Sequence, residues 1–161
     1  MYKDGLIIVD VGGRAGQMKQ LMAWAKRFLT ENHRFPFDQV PVWRGGCLQA
    51  VVYRELTSYT FKPAKGNALL VGDAAGFTLP VSGEGIGTGI KSALLAASSI
   101  QEAMVPGKSP DVVYLAQISG IVSVVGEIYP WFRRITDEAR SGGYSLPKIL
   151  RDAYHSTLRM F

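Results

Sequence analysis

The side chains with most to offer chemically are gathered in one stretch, residues 68–90. An apolar run from Ala68 to Val71 delivers Gly72, where a side chain would obstruct anything approaching the end of the run, and then Asp73. A short carboxylate at that point is an acceptor suited to gripping vicinal hydroxyls. Ala74, Ala75 and Gly76 keep the following turn small, so backbone can come close to a flat or extended ligand. Beyond Pro80, the glycines Gly83, Gly85, Gly87 and Gly89 surround Glu84, Ile86 and the start of a helix. The free N–H groups and positive dipole end of such a helix favour a partly negative oxygen. The chemistry implied is the holding of a polyol and of an anionic acceptor.

The glycine spacing is not the dinucleotide fingerprint. A G-x-G-x-x-G pattern begun at Gly83 would end at Thr88, and one begun at Gly85 would end at Ile90. The run Gly12-Gly13-Arg14-Ala15-Gly16 does not supply it either. Other reactive side chains are weaker candidates. His33 and His155 lie far apart without neighbouring ligands, which favours solvated or locally hydrogen-bonded roles over catalysis. Cys47, the one cysteine, cannot form an internal disulfide; a loop thiol beside a redox group could react, but a buried inert cysteine is the commoner case. Glu84 could act as a general acid, or simply be a charge favourable to the helix dipole. Tyr129, Trp131 and Phe132 could line a lipid-sized pocket, although aromatic residues at helical spacing more often form core.

Taken whole, the segment resembles the second FAD-binding motif, the Gly-Asp motif, of the para-hydroxybenzoate-hydroxylase-like flavoproteins. Within that group it is most similar to the geranylgeranyl reductase family and its dehydrogenase relatives. The motif reads approximately L-V-G-D-A-A-G-x-x-x-P-x-x-G-E-G-I, and Leu70 through Ile86 match every fixed position. The resemblance implies an α/β fold, part of the FAD/NAD(P)-binding type, with few strands and dominant C-terminal helices. It implies FAD as cofactor, with Asp73 bonding the ribityl hydroxyls, Gly72 to Gly76 passing the ribityl and phosphate region, and Pro80 near the isoalloxazine. Gly83, Glu84, Gly85, Ile86 and Gly87 would then lead into the helix that faces the flavin pyrimidine, whose N1–C2=O edge is anionic when reduced. The activity implied is an oxidoreductase acting on an apolar, isoprenoid or lipid substrate. A same-fold aromatic hydroxylase or halogenase is the alternative enzyme, and a non-catalytic fragment or subunit the alternative of another class. Members of the group carry a G-x-G-x-x-G module for the ADP portion of FAD, which these 161 residues do not contain. The resemblance therefore implies a separate N-terminal ADP-binding half as partner, and little activity without it.

The elements that must position these residues read as follows. Leu6 to Val11 is a buried-strand candidate and Ala15 to Thr30 a helix, with Met18, Leu21, Met22, Ala25, Phe28 and Leu29 at helical spacing. Phe35 to Trp43, with Pro36 and Pro41, reads as loop, and Leu48 to Phe61 as containing an extended segment. Asn67 to Val71 reads as a strand buried on both faces. Gly85 to Met104 reads as a helix with Ile86, Ile90, Leu94, Ala97 and Ile100 or Gln101 on one face, ended by Pro106 and Gly107. A helical region from Asp111 should be interrupted at Gly120, Gly126 and Pro130, and Leu146 to Phe161 forms a last helix with Pro147 in its first turn. The expected organisation is one folded unit. Residues 1–66 end a substrate-domain region, 67–105 carry the FAD motif and its helix, and 106–161 form a helical cap.

Composition narrows the function classes. Eighteen Lys and Arg against 13 Asp and Glu give a net charge of +5. No run of five or more like charges occurs, and Asp137, Glu138 and Asp152 interrupt the basic C-terminal residues Arg133, Arg134, Arg140, Lys148, Arg151 and Arg159. A nucleic-acid partner is therefore not expected. The apolar stretch from Val112 to Gly126 falls short of the roughly 20 residues of a membrane span. It reads as a buried or membrane-facing helix, and the localisation expected is cytoplasmic or membrane-peripheral. No metal ligand set is expected.

Overall fold

Among the described residues, strands are confined to two short antiparallel hairpins, and the remaining regular structure is helical. The computed structural model describes residues 2–12, 16–38, 40–46, 52–142 and 145–158. It divides into two compact units, residues 1–48 and 49–161, where the sequence reading has one. The expectations for Gly13, Arg14, Ala15, Cys47, residues 48–51 and Arg159 lie outside the described residues.

In the first unit, Asp4 and Gly5 both take positive φ, 53° and 77°, the backbone of a type I′ turn. This turn folds β1 (Tyr2–Lys3) onto β2 (Leu6–Ile7). The buried strand expected as far as Val11 stops at Ile7, and Leu6, Ile7 and Ile8 are exposed, because a two-residue ladder is too short to build a buried face. Helix α1 (Met18–His33) turns Ala25 inward, stacks Trp24 on Phe28, and ends where Arg34 adopts the left-handed conformation.

The second unit opens with α2 (Tyr53–Thr57), where the sequence reading has an extended segment. The aromatic and branched residues that favour a strand here serve helix packing, since Tyr53 and Leu56 share one face and are both buried. Strands β3 (Ala64–Lys65) and β4 (Ala68–Leu69) form a hairpin across Gly66 and Asn67. The run Ala68 to Val71, expected to be covered on both faces, is paired on one side only and leaves Leu70 and Val71 exposed. A 3₁₀ turn (Gly72–Ala75) leads through a loop to α3 (Ile86–Glu102), followed by α4 (Pro110–Gln117), α5 (Ser119–Ser141) and α6 (Leu146–Leu158).

One further expectation is overturned in this unit. The helical region breaks at Ile118, with a 45° bend, and not at Gly120, Gly126 or Pro130, which lie inside the continuous α5. Packing carries the helix through its proline: Ile128 is fully buried, and Tyr129 and Phe132 press on Tyr53. The apolar stripe that the helical period of α3 marks faces outward, with Ile86 79% and Leu94 67% exposed, whereas Ser92, Ala96 and Ser99 are buried. Close approach decides this orientation. A Cβ at Gly72 would lie 3.4 Å from the Gly89 Cα, so only small residues fit between α3, the 3₁₀ turn and α4.

The core of the unit gathers Tyr53, Leu56, Phe77, Leu79, Tyr114, Ile118, Ile121, Val125 and Ile128. The apolar face of α5 is thus absorbed inside the unit. Among the described residues no single helix is long and apolar enough to cross a membrane, although α4 and α5 together pass on length and composition.

Candidate functional site

Asp73 sits on the 3₁₀ turn with its side chain exposed, held by the buried Thr78, whose Oγ1 donates to Asp73 Oδ1 at 2.6 Å. Asp73 Oδ2 accepts no hydrogen bond from any described residue. The turn closes through Gly76 N–H to the Asp73 carbonyl and Phe77 N–H to the Gly72 carbonyl, with Gly76 in the left-handed region. Gly85 is the second wall. A Cβ there would meet Asp73 Oδ1 at 2.7 Å and Thr78 Oγ1 at 3.3 Å, so any other residue displaces the carboxylate.

The backbone around this carboxylate is fixed from three directions. Gly72 N–H donates to Ser92 Oγ, which in turn donates to the Gly89 carbonyl. Thr88 Oγ1 donates to the Phe77 carbonyl at 2.6 Å. Tyr114, fully buried on α4, donates its hydroxyl to the Leu70 carbonyl at 2.7 Å. Burial pushes the Tyr114 phenol up to about 12, with the Ser92 hydroxyl working against the shift.

The residues predicted from the sequence separate by what surface they offer. Ala75 and Pro80 are fully buried, so they shape the loop from within. Gly83, with φ 68°, donates to the Leu79 carbonyl, and Leu79 N–H donates to the Glu84 carbonyl. Asp73, Ala74, Glu84, Ile86 and Gly87 face outward. The N-terminus of α3 already has an acceptor, because Gly87 N–H donates to Glu84 Oε1 at 2.7 Å. Glu84 is therefore a helix cap in this structure, and an anionic group approaching α3 competes with its carboxylate.

Sequence reasoning missed Tyr53, Thr78, Ser92 and Tyr114. Val52, just before α2, leans on the turn: a Cβ at Gly76 would lie 2.4 Å from Val52 Cγ2. Tyr53, the next residue, is only 5% exposed, edge-on to Phe132 at 5.4 Å and tilted against Tyr129 at 6.0 Å. Burial raises the Tyr53 phenol above its usual value, and the Asp73 charge raises it further.

No protein-family model matches the chain, and neither a curated protein nor a solved structure matches it. The chemistry rests on the geometry around Asp73: a carboxylate oxygen that accepts from no described residue, with glycine on the opposing side. Among the described residues, no three His, Cys, Asp or Glu side chains converge as a metal site. A separate open groove of about 580 Å³, lined by Arg133, Arg134, Asp137, Glu138, Ser141 and Ser145, has mixed charge. Its Glu138 carboxylate already accepts from the Ser145 hydroxyl and N–H.

Proposed function

We propose that this chain supplies the ribityl-binding side of an FAD site in an oxidoreductase of geranylgeranyl reductase type, acting on an apolar or isoprenoid substrate. The observation that carries the reading is the exposed Asp73 carboxylate, oriented by Thr78, with Oδ2 free and Gly85 leaving open the space beside it. A carboxylate so held accepts hydrogen bonds from vicinal hydroxyls without having to reorganise. Gly72 to Gly76 would follow the ribityl chain, and the start of α3, with Gly85, Ile86 and Gly87, would lie along the flavin. Bound FAD would supply the hydride chemistry, and the protein its orientation and electrostatics. Glu84 would have to give up Gly87 N–H before an anionic flavin edge could use it.

The outward stripe of α3 supports a second component of the reading, a separate ADP-binding half that covers this face. The α/β flavoprotein fold would then belong to the assembled pair. Peripheral membrane contact remains compatible with the lipid-like substrate.

Titration with FAD, followed by quenching of flavin fluorescence, tests the site directly in wild type and Asp73→Ala. Saturable binding that the substitution abolishes is the expected result. Binding that Asp73→Ala leaves intact overturns the polyol-clamp role. Peroxyflavin formation under oxygen would favour the same-fold hydroxylase reading over the reductase.

A further inference from the structure

The open groove of about 580 Å³ between the end of α5 and the start of α6 shares no residue with the Asp73 turn. Its α5 wall carries Arg133, Arg134, Asp137 and Glu138, and its apolar lining is Pro130 and the buried Ile149. The four charged residues form two i, i+4 couples, Arg133 with Asp137 and Arg134 with Glu138, a spacing at which helices commonly close ion pairs. Neither couple closes, because each acid is engaged elsewhere. Asp137 pairs with Arg140 at 3.4 Å, and Glu138 Oε1 accepts the Ser145 hydroxyl at 2.6 Å and the Ser145 N–H at 2.8 Å. Arg134 lies over the Trp131 ring, 5.7 Å from its centroid. Arg133 has no hydrogen-bond, ionic or ring partner among the described residues, and Glu138 Oε2 accepts from none of them. One turn of α5 therefore offers unspent donors to the groove, and the next turn an unspent acceptor.

We propose that this groove binds a zwitterion, an aminoalkyl phosphate whose phosphate meets Arg133 and Arg134 and whose ammonium meets Glu138 Oε2. The signs of the lining charges decide the class. Two guanidinium groups and two carboxylates leave the lining without net formal charge, so a plain anion gains the arginines but faces Glu138, and a plain cation meets the reverse. A ligand with both charges about one helical turn apart, roughly 5–6 Å, satisfies both ends. Arg140 answers Asp137 from outside the lining, which leaves Glu138 as the acid for the ammonium. A phosphate suits the donor end better than a carboxylate, because one guanidinium fork takes two of its oxygens and another oxygen remains for the neighbouring arginine. The Trp131 ring already holds the Arg134 guanidinium, so less freedom is lost there on binding. Pro130 and Ile149 offer apolar surface to the carbon linker. This chemistry occurs both in free aminoalkyl phosphates and in zwitterionic lipid headgroups. The groove lies on other elements than Asp73, so the assignment does not rest on the flavin reading.

The probe is O-phosphoethanolamine, titrated by calorimetry into the full chain, with glycerol phosphate, which lacks the ammonium, and ethanolamine, which lacks the phosphate, as comparisons. Wild type, Arg133→Gln, Glu138→Gln and Arg151→Gln are measured side by side, with circular dichroism melts confirming that each variant folds. Wild type should bind O-phosphoethanolamine saturably and roughly tenfold more tightly than either comparison, the equivalent of one charge-assisted hydrogen bond. Arg133→Gln should lose about the same factor. Glu138→Gln should lose the preference for the ammonium, so that the two phosphates bind alike. Arg151→Gln removes an exposed charge of α6 outside the lining and should behave as wild type. Sedimentation with vesicles of phosphatidylethanolamine and phosphatidylcholine separates the two sources. Retention that Arg133→Gln abolishes assigns the lipid headgroup; binding of the free ester, with retention absent or insensitive to Arg133→Gln, assigns the soluble compound. The proposal is overturned if neither form binds saturably, if wild type binds glycerol phosphate as tightly as O-phosphoethanolamine, or if Arg151→Gln weakens binding as much as Arg133→Gln.

Discussion

A single hydroxyl fixes the entrance to the Asp73 turn. Tyr114 donates to the Leu70 carbonyl two residues before Gly72, from a position with no solvent exposure. Tyr114→Phe keeps the ring and removes the donor, and is expected to cost about 1 kcal/mol in chemical denaturation. The pH dependence has a definite sign. The folded phenol titrates at about 12, above the value near 10 of an unfolded tyrosine. Its contribution is therefore fully present below about pH 10 and is lost as pH rises through the folded value. Denaturation midpoints of wild type should fall between pH 10 and 12, and Tyr114→Phe should show a shallower fall. An equal fall in both proteins would show that Tyr114 titrates as an ordinary surface tyrosine.

At the scale of elements, the β3–β4 hairpin is clipped to α4 by Asp111. Its carboxylate accepts from the Ser109 hydroxyl and from Gly66 N–H at 2.6 Å, and these bonds hold its pKa below the usual carboxylate value. The stabilisation is present above the unfolded pKa of about 3.9 and is lost as pH falls through the lower folded value. Asp111→Ala should melt below wild type at pH 7, and the two melting curves should converge as pH drops below about 4. A constant difference across that range would exclude the carboxylate as the cause. Nothing in the sequence pattern points to this clip, because it joins residues 45 positions apart, whereas local signals were legible. Pro147 in the first turn of α6, the start of that helix at Leu146, and the glycine-framed start of α3 all follow from backbone chemistry that neighbouring residues dictate. The orientation of α3 did not, because its large apolar residues follow a helical period whichever side is covered. The deciding contact, Gly72 against Gly89, involves the absence of side chains. Within the site, Asp73 and its glycines could be read from their types and spacing. Ser92 and Tyr114 could not, because only the packing of α3 on the turn and of α4 on the hairpin brings them there.

For the whole molecule, the outward face of α3 is the least balanced feature. Ile86, Ile90, Leu94 and Ile100 fall on one side at helical spacing and all are exposed, with Leu70 and Val71 exposed just ahead of the Asp73 turn. The opposite side of the same helix, with Ser92, Ala96 and Ser99, is buried, so the large apolar residues of α3 lie on the outward side. A face of this kind promotes association or takes up apolar probes in water. Wild type should therefore enhance the fluorescence of a hydrophobic dye and self-associate as its concentration rises. Ile90→Lys combined with Leu94→Lys should suppress both behaviours and leave the thermal midpoint nearly unchanged, since exposed positions typically shift stability by no more than about 0.5 kcal/mol. Ser92→Leu, one turn away on the buried side, should instead unfold the site, because the Gly72 N–H loses its acceptor and the close contact with the 3₁₀ turn is overfilled. If the double lysine variant melts well below wild type, the stripe is packed inward in solution, and no separate half is needed to cover it.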